Sequence, residues 1–293
     1  MKFSIIIALA PWRDAEILQY IKKLDFPRKE FEVIVVKGLN VPDNRNRGVD
    51  RAKGEILIFL DDDAIIEPDF LRRVDNFFEK YKEVDILGGP QLTPKSDKFF
   101  AKINGYVLAN QFACPGINKR YKKSRLNLNA DSNYITGALM IIKKKIFEKL
   151  EFDRNIYPAD DVYFINSAKK LGFKIATSPE IYIYHRRRPG IKSLVKQIYN
   201  YGKSRPRISP FKVLFSVPSL FLIYLILIWP LFLLSWMFII PLLAYIALDI
   251  IFSSYESFKN KSFLSIFLLP IIFLIIHLSY GLGFIIGMLK RKK

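Results

Sequence analysis

The chain has 293 residues, a formal net charge of +19 and an apolar content of 51%. Its single cysteine, Cys114, excludes an intramolecular disulfide and a cysteine-built metal cluster. The charge suits phosphorylated ligands or anionic lipid; zinc-finger spacings and aromatic-basic RNA motifs are absent, so a nucleic-acid partner is not expected.

The apolar average hides a split. Residues 1–212 mix charged and apolar side chains, whereas 213–293 are nearly all Leu, Ile, Phe, Val and aromatics. Residues 3–10 after Lys2 have the outline of a short signal peptide, but the run is β-branched and stops at Pro11, which fits a buried first strand better. Residues 14–24 place Ile17, Leu18, Ile21 and Leu24 on one helical face, and 32–36 (EVIVV) read as a second strand. A helix over 44–53 ends at Gly54. A third strand over 55–60 runs into Asp61-Asp62-Asp63, and Pro68 opens a helix to about Tyr81. Residues 85–135 are less regular and carry a basic patch, Lys119 to Lys123. A strand over 137–144, a helix over 161–171 ended by Gly172, and an extended stretch over 173–184 lead to His185. Repeated strand-helix-strand units imply a mostly parallel sheet covered by helices on both faces.

No acid occurs between Glu180 and Asp249, while Arg186, Arg187, Arg188, Lys192, Lys196, Lys203, Arg205, Arg207 and Lys212 crowd the approach to the first apolar segment. That is where the positive-inside rule expects them. The apolar block 213–252 is interrupted by Pro218, Pro230 and Pro241; polar residues 253–262 separate it from 263–289, and Lys290 to Lys293 close the chain. A helical span needs about 20 apolar residues. The first block therefore accommodates two spans, or one interfacial helix and one span; three spans would put the C-terminal basic cluster outside and two would put it inside.

Three signals carry chemistry. Asp61-Asp62-Asp63 follow a buried strand, and ligands of open α/β sheets bind at the carboxyl ends of strands. Carboxylates one residue apart there can grip a divalent cation bridging diphosphate oxygens, although acid triplets are also common in plain loops. Asp160-Asp161 begin a helix; capping accounts for one acid, and a second near a metal would suit a general base. His185-Arg186-Arg187-Arg188 follow a strand: His is a common metal ligand and Arg a bidentate diphosphate partner, while Arg188 and the later cations suit a juxtamembrane anchor. His277 lies within an apolar segment, where a neutral His bonded to another helix is expected over a functional one.

Taken in order, EVIVV, RNRGVDRAKGEILIFLDDD, TGALMIIKKKIFEKLEFD, DDVYF and YHRRR resemble the family 2 glycosyltransferases of GT-A fold, over about residues 3–205. The resemblance implies a Rossmann-like, mostly parallel GT-A domain (1–205), followed by a transmembrane helical region (206–293). It implies Asp61 near the nucleotide ribose, with Asp62 beside it, and Asp63 holding Mg²⁺ or Mn²⁺. It makes His185 a further metal ligand, and puts Arg45 and Asn46 on the nucleotide side. Asp161 is the implied base, with Asp160 replacing the family's Glu and remaining an alternative. Arg186 would offset diphosphate charge. The implied reaction is metal-dependent, inverting transfer from a UDP- or GDP-sugar (dTDP also open) to a lipid-linked or glycan acceptor, by a multi-pass cell-membrane protein with a cytoplasmic catalytic domain. Val36-Lys37-Gly38-Leu39-Asn40 lacks the Asp that contacts the base in many members, and a QxxRW motif is not evident, which favours transfer of a single sugar. The rivals are a nucleotidyltransferase, disfavoured by the glycine-free stretch after the first strand, and a membrane scaffold with a degenerate domain.

Overall fold

The computed structural model describes residues 1–208 and 213–291. Lys212 of the basic run and Lys292 and Lys293 of the C-terminal cluster lie outside the described residues. The strands are β1 (Phe3–Leu9), β2 (Phe31–Lys37), β3 (Ile56–Leu60), β4 (Ala64–Ile65), β5 (Ile86–Gly88), β6 (Gln91–Leu92), β7 (Leu139–Lys143), β8 (Ile175–Thr177) and β9 (Ile183–His185). The helices are α1 (Leu18–Ile21), α2 (Val41–Arg51), α3 (Phe70–Lys80), α4 (Phe99–Ala109), α5 (Asp160–Lys170), α6 (Ile191–Ile208), α7 (Val213–Leu234), α8 (Ile240–Lys259) and α9 (Ser265–Arg291). They form two compact units: Met1–Lys95 with Lys119–Arg186, and Ser96–Asn118 with the chain from Arg187 on.

The first unit is built on a six-stranded sheet in the order β2-β1-β3-β7-β5-β8. β1 pairs in parallel with β2 and β3, and β5 with β8; β7 alone is reversed, antiparallel to both β3 and β5. Alternation along the strands sorts the core into two layers. Phe3, Ile5, Ile7, Ile58, Leu60, Leu139 and Ile141 bury one face, and Ile6, Leu57, Phe59, Met140 and Ile142 the other. Both faces being covered explains why ILIFL reads as an unbroken apolar run.

On the first face α3 supplies Phe70, Leu71, Val74, Phe77 and Phe78, spaced as one helical stripe. Complete burial of Phe70, Leu71 and Val74 stabilises the unit by about 1.5–3 kcal/mol for each side chain. On the second face Phe164 of α5 stacks on Phe152 with ring centroids 4.4 Å apart. Gly48 of α2 lies against Ile6, where a Cβ would sit 2.4 Å from Ile6 Cγ2, so α2 can lie close on the sheet.

The helix expected over 14–24 is confined to α1, because Arg13 closes a turn on the Ala10 carbonyl and Ile17 donates to the Asp62 carbonyl. α2 starts earlier than expected: Asn40 Oδ1 caps it by accepting from the Asp43 N–H at 2.9 Å, with Pro42 in the first turn. The stretch expected to be irregular holds β5, β6 and α4. A second sheet, β4-β9-β6, pairs β4 antiparallel and β6 parallel with β9.

In the second unit α9 is the central element. Leu269, Ile272, Phe273, Ile276 and Phe284 of α9 are buried. Gly283 and Gly287 let α9 approach the Tyr199 and Lys203 carbonyls of α6 so closely that a Cβ would lie 2.1 and 2.3 Å from them. His277 meets the Tyr245 hydroxyl of α8 at 2.9 Å and the Phe112 carbonyl at 3.1 Å. A carbonyl only accepts, so Nε2 carries a proton and donates to Phe112, and Nδ1 bonds the Tyr245 hydroxyl, which ties the histidine to another helix as expected. Among the described residues, three helical segments, Val213–Leu234, Trp236–Lys259 and Ser265–Lys290, are long and apolar enough to cross a membrane.

Candidate active site

β3 ends at Leu60, and the three acids form the turn into β4. β9 then returns alongside β4 with Ala64 opposite His185, which sets the imidazole beside the acids. His185 Nε2 lies 3.2 Å from Asp61 Oδ2 and 3.3 Å from Asp63 Oδ1. One ligand atom from each of the three residues falls within 4.8 Å of the others. His185 Nδ1 faces the Arg186 carbonyl at 3.1 Å, so Nδ1 carries a proton, and Nε2 is the nitrogen turned toward the acids. Two carboxylate oxygens and one imidazole nitrogen, all partly exposed, form a donor set that fits a small divalent cation.

The three acids differ. Burial raises the Asp61 carboxyl, but the His185 hydrogen bond and the charges of His185, Arg45 and Arg13 outweigh it and hold it below the ordinary range. Asp62 turns away from the cluster and is buried. Burial pushes it up to about 6; Arg13 opposes this, and Asp63 and Asp61 add to it. Arg13 spans the turn: Nε is 2.7 Å from Asp62 Oδ2, a close ion pair without hydrogen-bond alignment, and Nη2 donates to Asp63 Oδ2 at 3.1 Å.

Asp160 and Asp161 open α5 from Ala159, whose φ of 93° is a left-handed conformation uncommon for a residue with a Cβ. The two acids have separate surroundings. Asp160 is buried and accepts from Arg45 Nη1. Burial raises its carboxyl, Arg45 opposes and Asp161 adds. Arg45 in turn is disfavoured by burial, yet Asp160, Asp61 and Asp161 keep it firmly charged. Asp161 is half-buried; Oδ2 accepts from the Gly137 N–H at 2.7 Å and Oδ1 from the Val162 N–H at 2.8 Å.

Among the remaining candidates, Asn46 closes two hydrogen bonds on the Phe152 backbone, at 2.8 and 3.0 Å, and is buried there. Arg186 is half exposed and lies 3.5 Å from Glu16. Arg13, Glu16 and Gly137 were not among the residues singled out in the sequence. Arg13 stands in a stretch read only for its lack of glycine, and a glycine between two apolar runs gives no sign that both of its backbone groups are used.

Residues 4–199, more than half the chain, match the family described as glycosyltransferase like family 2. An uncharacterized glycosyltransferase of Methanocaldococcus jannaschii is 25% identical over 169 residues, which are 55% of this chain and 52% of that protein. The chain thus spans about half the length of that relative. A Methanococcus voltae enzyme is 26% identical over 252 residues, covering 84% of this chain and 74% of its own; it is named dolichyl N-acetyl-alpha-D-glucosaminyl phosphate 3-beta-D-2,3-diacetamido-2,3-dideoxy-beta-D-glucuronosyltransferase. Among solved structures, S. aureus TarS 1–349 aligns over 71% of this chain and 66% of its own, with a TM-score of 0.48 at 16% identity. The mannosyltransferase PcManGT from Pyrobaculum calidifontis, in complex with GDP-Man and Mn²⁺, aligns over 69% and 61%, with a TM-score of 0.47 at 16% identity.

Proposed function

We propose a reaction for this chain, which belongs to glycosyltransferase family 2 and is a glycosyltransferase of GT-A fold. It moves one sugar from a nucleoside-diphosphate sugar to a hydroxyl of a lipid-linked or glycan acceptor, with inversion at the anomeric carbon. The observation that carries this reading is the cluster of Asp61, Asp63 and His185 at the carboxyl end of β3. Mg²⁺ or Mn²⁺ held there would neutralise charge on the departing diphosphate.

The chain's own residues supply the rest. Asp161 takes the proton of the acceptor hydroxyl as its oxygen bonds to the anomeric carbon and the bond to the phosphate oxygen breaks. Asp161 suits this better than Asp160, because its carboxylate is half exposed whereas that of Asp160 is consumed by Arg45. Arg45 would act on the nucleotide side through Asp160 and Asp61 rather than by direct reach, since it is buried. Arg186, exposed beside Glu16, is free to turn toward the diphosphate. Asn46 shapes the nucleotide side through Phe152, and Asp62 through Arg13.

We assign donor binding and chemistry to residues 1–205 and membrane attachment to 206–293. The acceptor class follows the lipid-linked acceptor in the name of the Methanococcus voltae relative and the three long apolar helices. Attachment would hold such an acceptor at high effective concentration beside a catalytic domain on the cytoplasmic face of the cell membrane. The test is a screen of UDP-, GDP- and dTDP-sugars for Mn²⁺- or Mg²⁺-dependent thermal stabilisation, followed by sugar transfer from those that bind. Stabilisation that does not depend on the cation would remove the metal from the reading.

A further inference from the structure

We propose that Arg13 is a donor-phosphate ligand that rests on the metal site's own carboxylate, so that cation and donor bind as a coupled pair. This rests on the metal reading given above. Arg13 follows β1, whose Ile7 lies in register with Leu60 of β3, so the turn carrying Arg13 and the turn carrying the three acids emerge side by side. Its guanidinium touches Asp62 Oδ2 and Asp63 Oδ2 and remains 47% exposed. The other oxygen of Asp63 faces His185. One carboxylate thus serves the cation cluster with one oxygen and Arg13 with the other.

Two consequences follow from charge alone. A cation drawn to Asp63 meets a guanidinium already neutralising that carboxylate, so Arg13 weakens binding of the cation by itself. Once the cation takes Asp63, that carboxylate's charge is shared and its hold on Arg13 weakens; Asp62 stays the nearer partner, and Arg13 remains exposed at the strand edge where the diphosphate is placed. A planar, doubly donating guanidinium is well matched to phosphate oxygens. Arg45, by contrast, is buried on Asp160 and unable to make such an exchange. A residue that only stapled the turn would repel the cation equally but would have no reason to bind the donor, so the nucleotide measurement separates the two.

The test uses the full-length protein in detergent, with Mn²⁺, UDP and GDP as probes. Mn²⁺ binding is measured by the loss of the free-ion spin-resonance signal, without nucleotide. Nucleotide binding is measured calorimetrically with Mn²⁺ present. Arg13→Gln is expected to bind Mn²⁺ alone about five- to tenfold more tightly, the scale of repulsion between a unit charge and a dication a few ångströms apart near water. With Mn²⁺ present, it is expected to bind the nucleotide that wild type prefers about tenfold more weakly, as a lost charge-assisted contact would give. Arg13→Lys keeps the charge without the fork, so its Mn²⁺ affinity should stay within about twofold of wild type while nucleotide binding falls. Unchanged or weaker Mn²⁺ binding by folded Arg13→Gln overturns the role of Arg13 and leaves the metal reading intact. Absence of Mn²⁺ binding by wild type overturns both. If Arg13→Gln does not fold, Arg13→Lys decides, and unchanged nucleotide binding there counts against the proposal.

Discussion

The backbone N–H of Gly137 donates to Asp161 Oδ2 at 2.7 Å. The carbonyl of the same glycine accepts from Arg45 at 3.3 Å. A Cβ on Gly137 would lie 2.5 Å from Arg45 Nη2. That guanidinium is buried and held by Asp160, so it cannot retreat as an exposed Arg would. Gly137→Ala is therefore expected to lower the melting temperature by several degrees, the scale of a loss of about 1–3 kcal/mol from overpacking. It should also lower kcat by disturbing Asp161. Thermal unfolding and steady-state kinetics check both; an unchanged kcat would show that Asp161 does not depend on this contact.

The two acids that open α5 should respond differently to the same substitution. Asp161→Asn is expected to keep donor affinity and stability but lose about 10²–10⁴ in transfer rate, the usual worth of a positioned base. Asp160→Asn strands Arg45 as a buried charge, which costs about 3–5 kcal/mol when such a pair is broken. Loss of transfer by folded Asp160→Asn with near-normal Asp161→Asn turnover would reverse the assignment of the base.

Asp63→Ala should abolish cation-dependent nucleotide binding and transfer. In EDTA its melting temperature should match that of wild type, because Asp63 is partly exposed and ends no buried network. Cation-dependent stabilisation by the matched nucleotide sugar, measured with and without Mn²⁺, separates the two effects; wild-type-like stabilisation would move the metal elsewhere.

Glu32 gives a pH signature in the fold itself. Burial raises its carboxyl, but the Lys53 and Gly54 backbone N–H groups, the Ser4 hydroxyl and the Lys53 charge outweigh that and hold it below 4.5. The Ser4 and Lys53 bonds are 2.7 and 2.6 Å. A depressed carboxyl contributes stability above its unfolded value and loses it as pH falls through the folded one. Glu32→Gln should thus be less stable than wild type at neutral pH, and the gap should close as the pH falls below 4.5. Melting temperatures across that range provide the check; a gap independent of pH would mean that the ionised form is not what the site stabilises.

The second unit makes a prediction about sidedness. Tyr199 faces Gly283 and Lys203 faces Gly287, so α6 and α9 run parallel with their backbones in contact. α6 carries Lys192, Lys196, Lys203, Arg205 and Arg207, a charge load that hydrocarbon does not tolerate. The C-terminal part of α9 should therefore lie on the same side of the bilayer as α6, giving an even number of crossings from α7 to α9. A C-terminal tag and a cysteine at the exposed Lys196 position should label from the same face of sealed vesicles. Labelling from opposite faces would establish an odd number of crossings.

Much of the donor domain is legible in the sequence because its signals are local. The runs read as strands at 3–8, 32–36 and 55–60 become β1, β2 and β3 since strands covered on both faces admit few polar residues. The position of Asp61 to Asp63 at a strand's carboxyl end needs only the end of such a run. The apolar C-terminal helices are equally plain, because length and hydropathy suffice. The direction of β7 was not legible: LMIIK has the same composition whichever way it pairs, and its reversal is set by its long connections and its neighbours β3 and β5. Nor does the residue pattern by itself, without the family resemblance, distinguish three consecutive acids. Asp61 and Asp63 turn to His185 because β9 pairs with β4 from 120 residues away in the chain, while Asp62 turns inward to Arg13. The same holds for Asp160 and Asp161, adjacent on α5, of which Arg45 takes one and Gly137 the other. The sequence by itself determined which residues could ionise, bind or cross a bilayer, since those are properties of the side chains. Which neighbour each charge would find was decided only by the tertiary structure, because the interactions that separate one aspartate from the next are made within a few ångströms by residues remote in the chain.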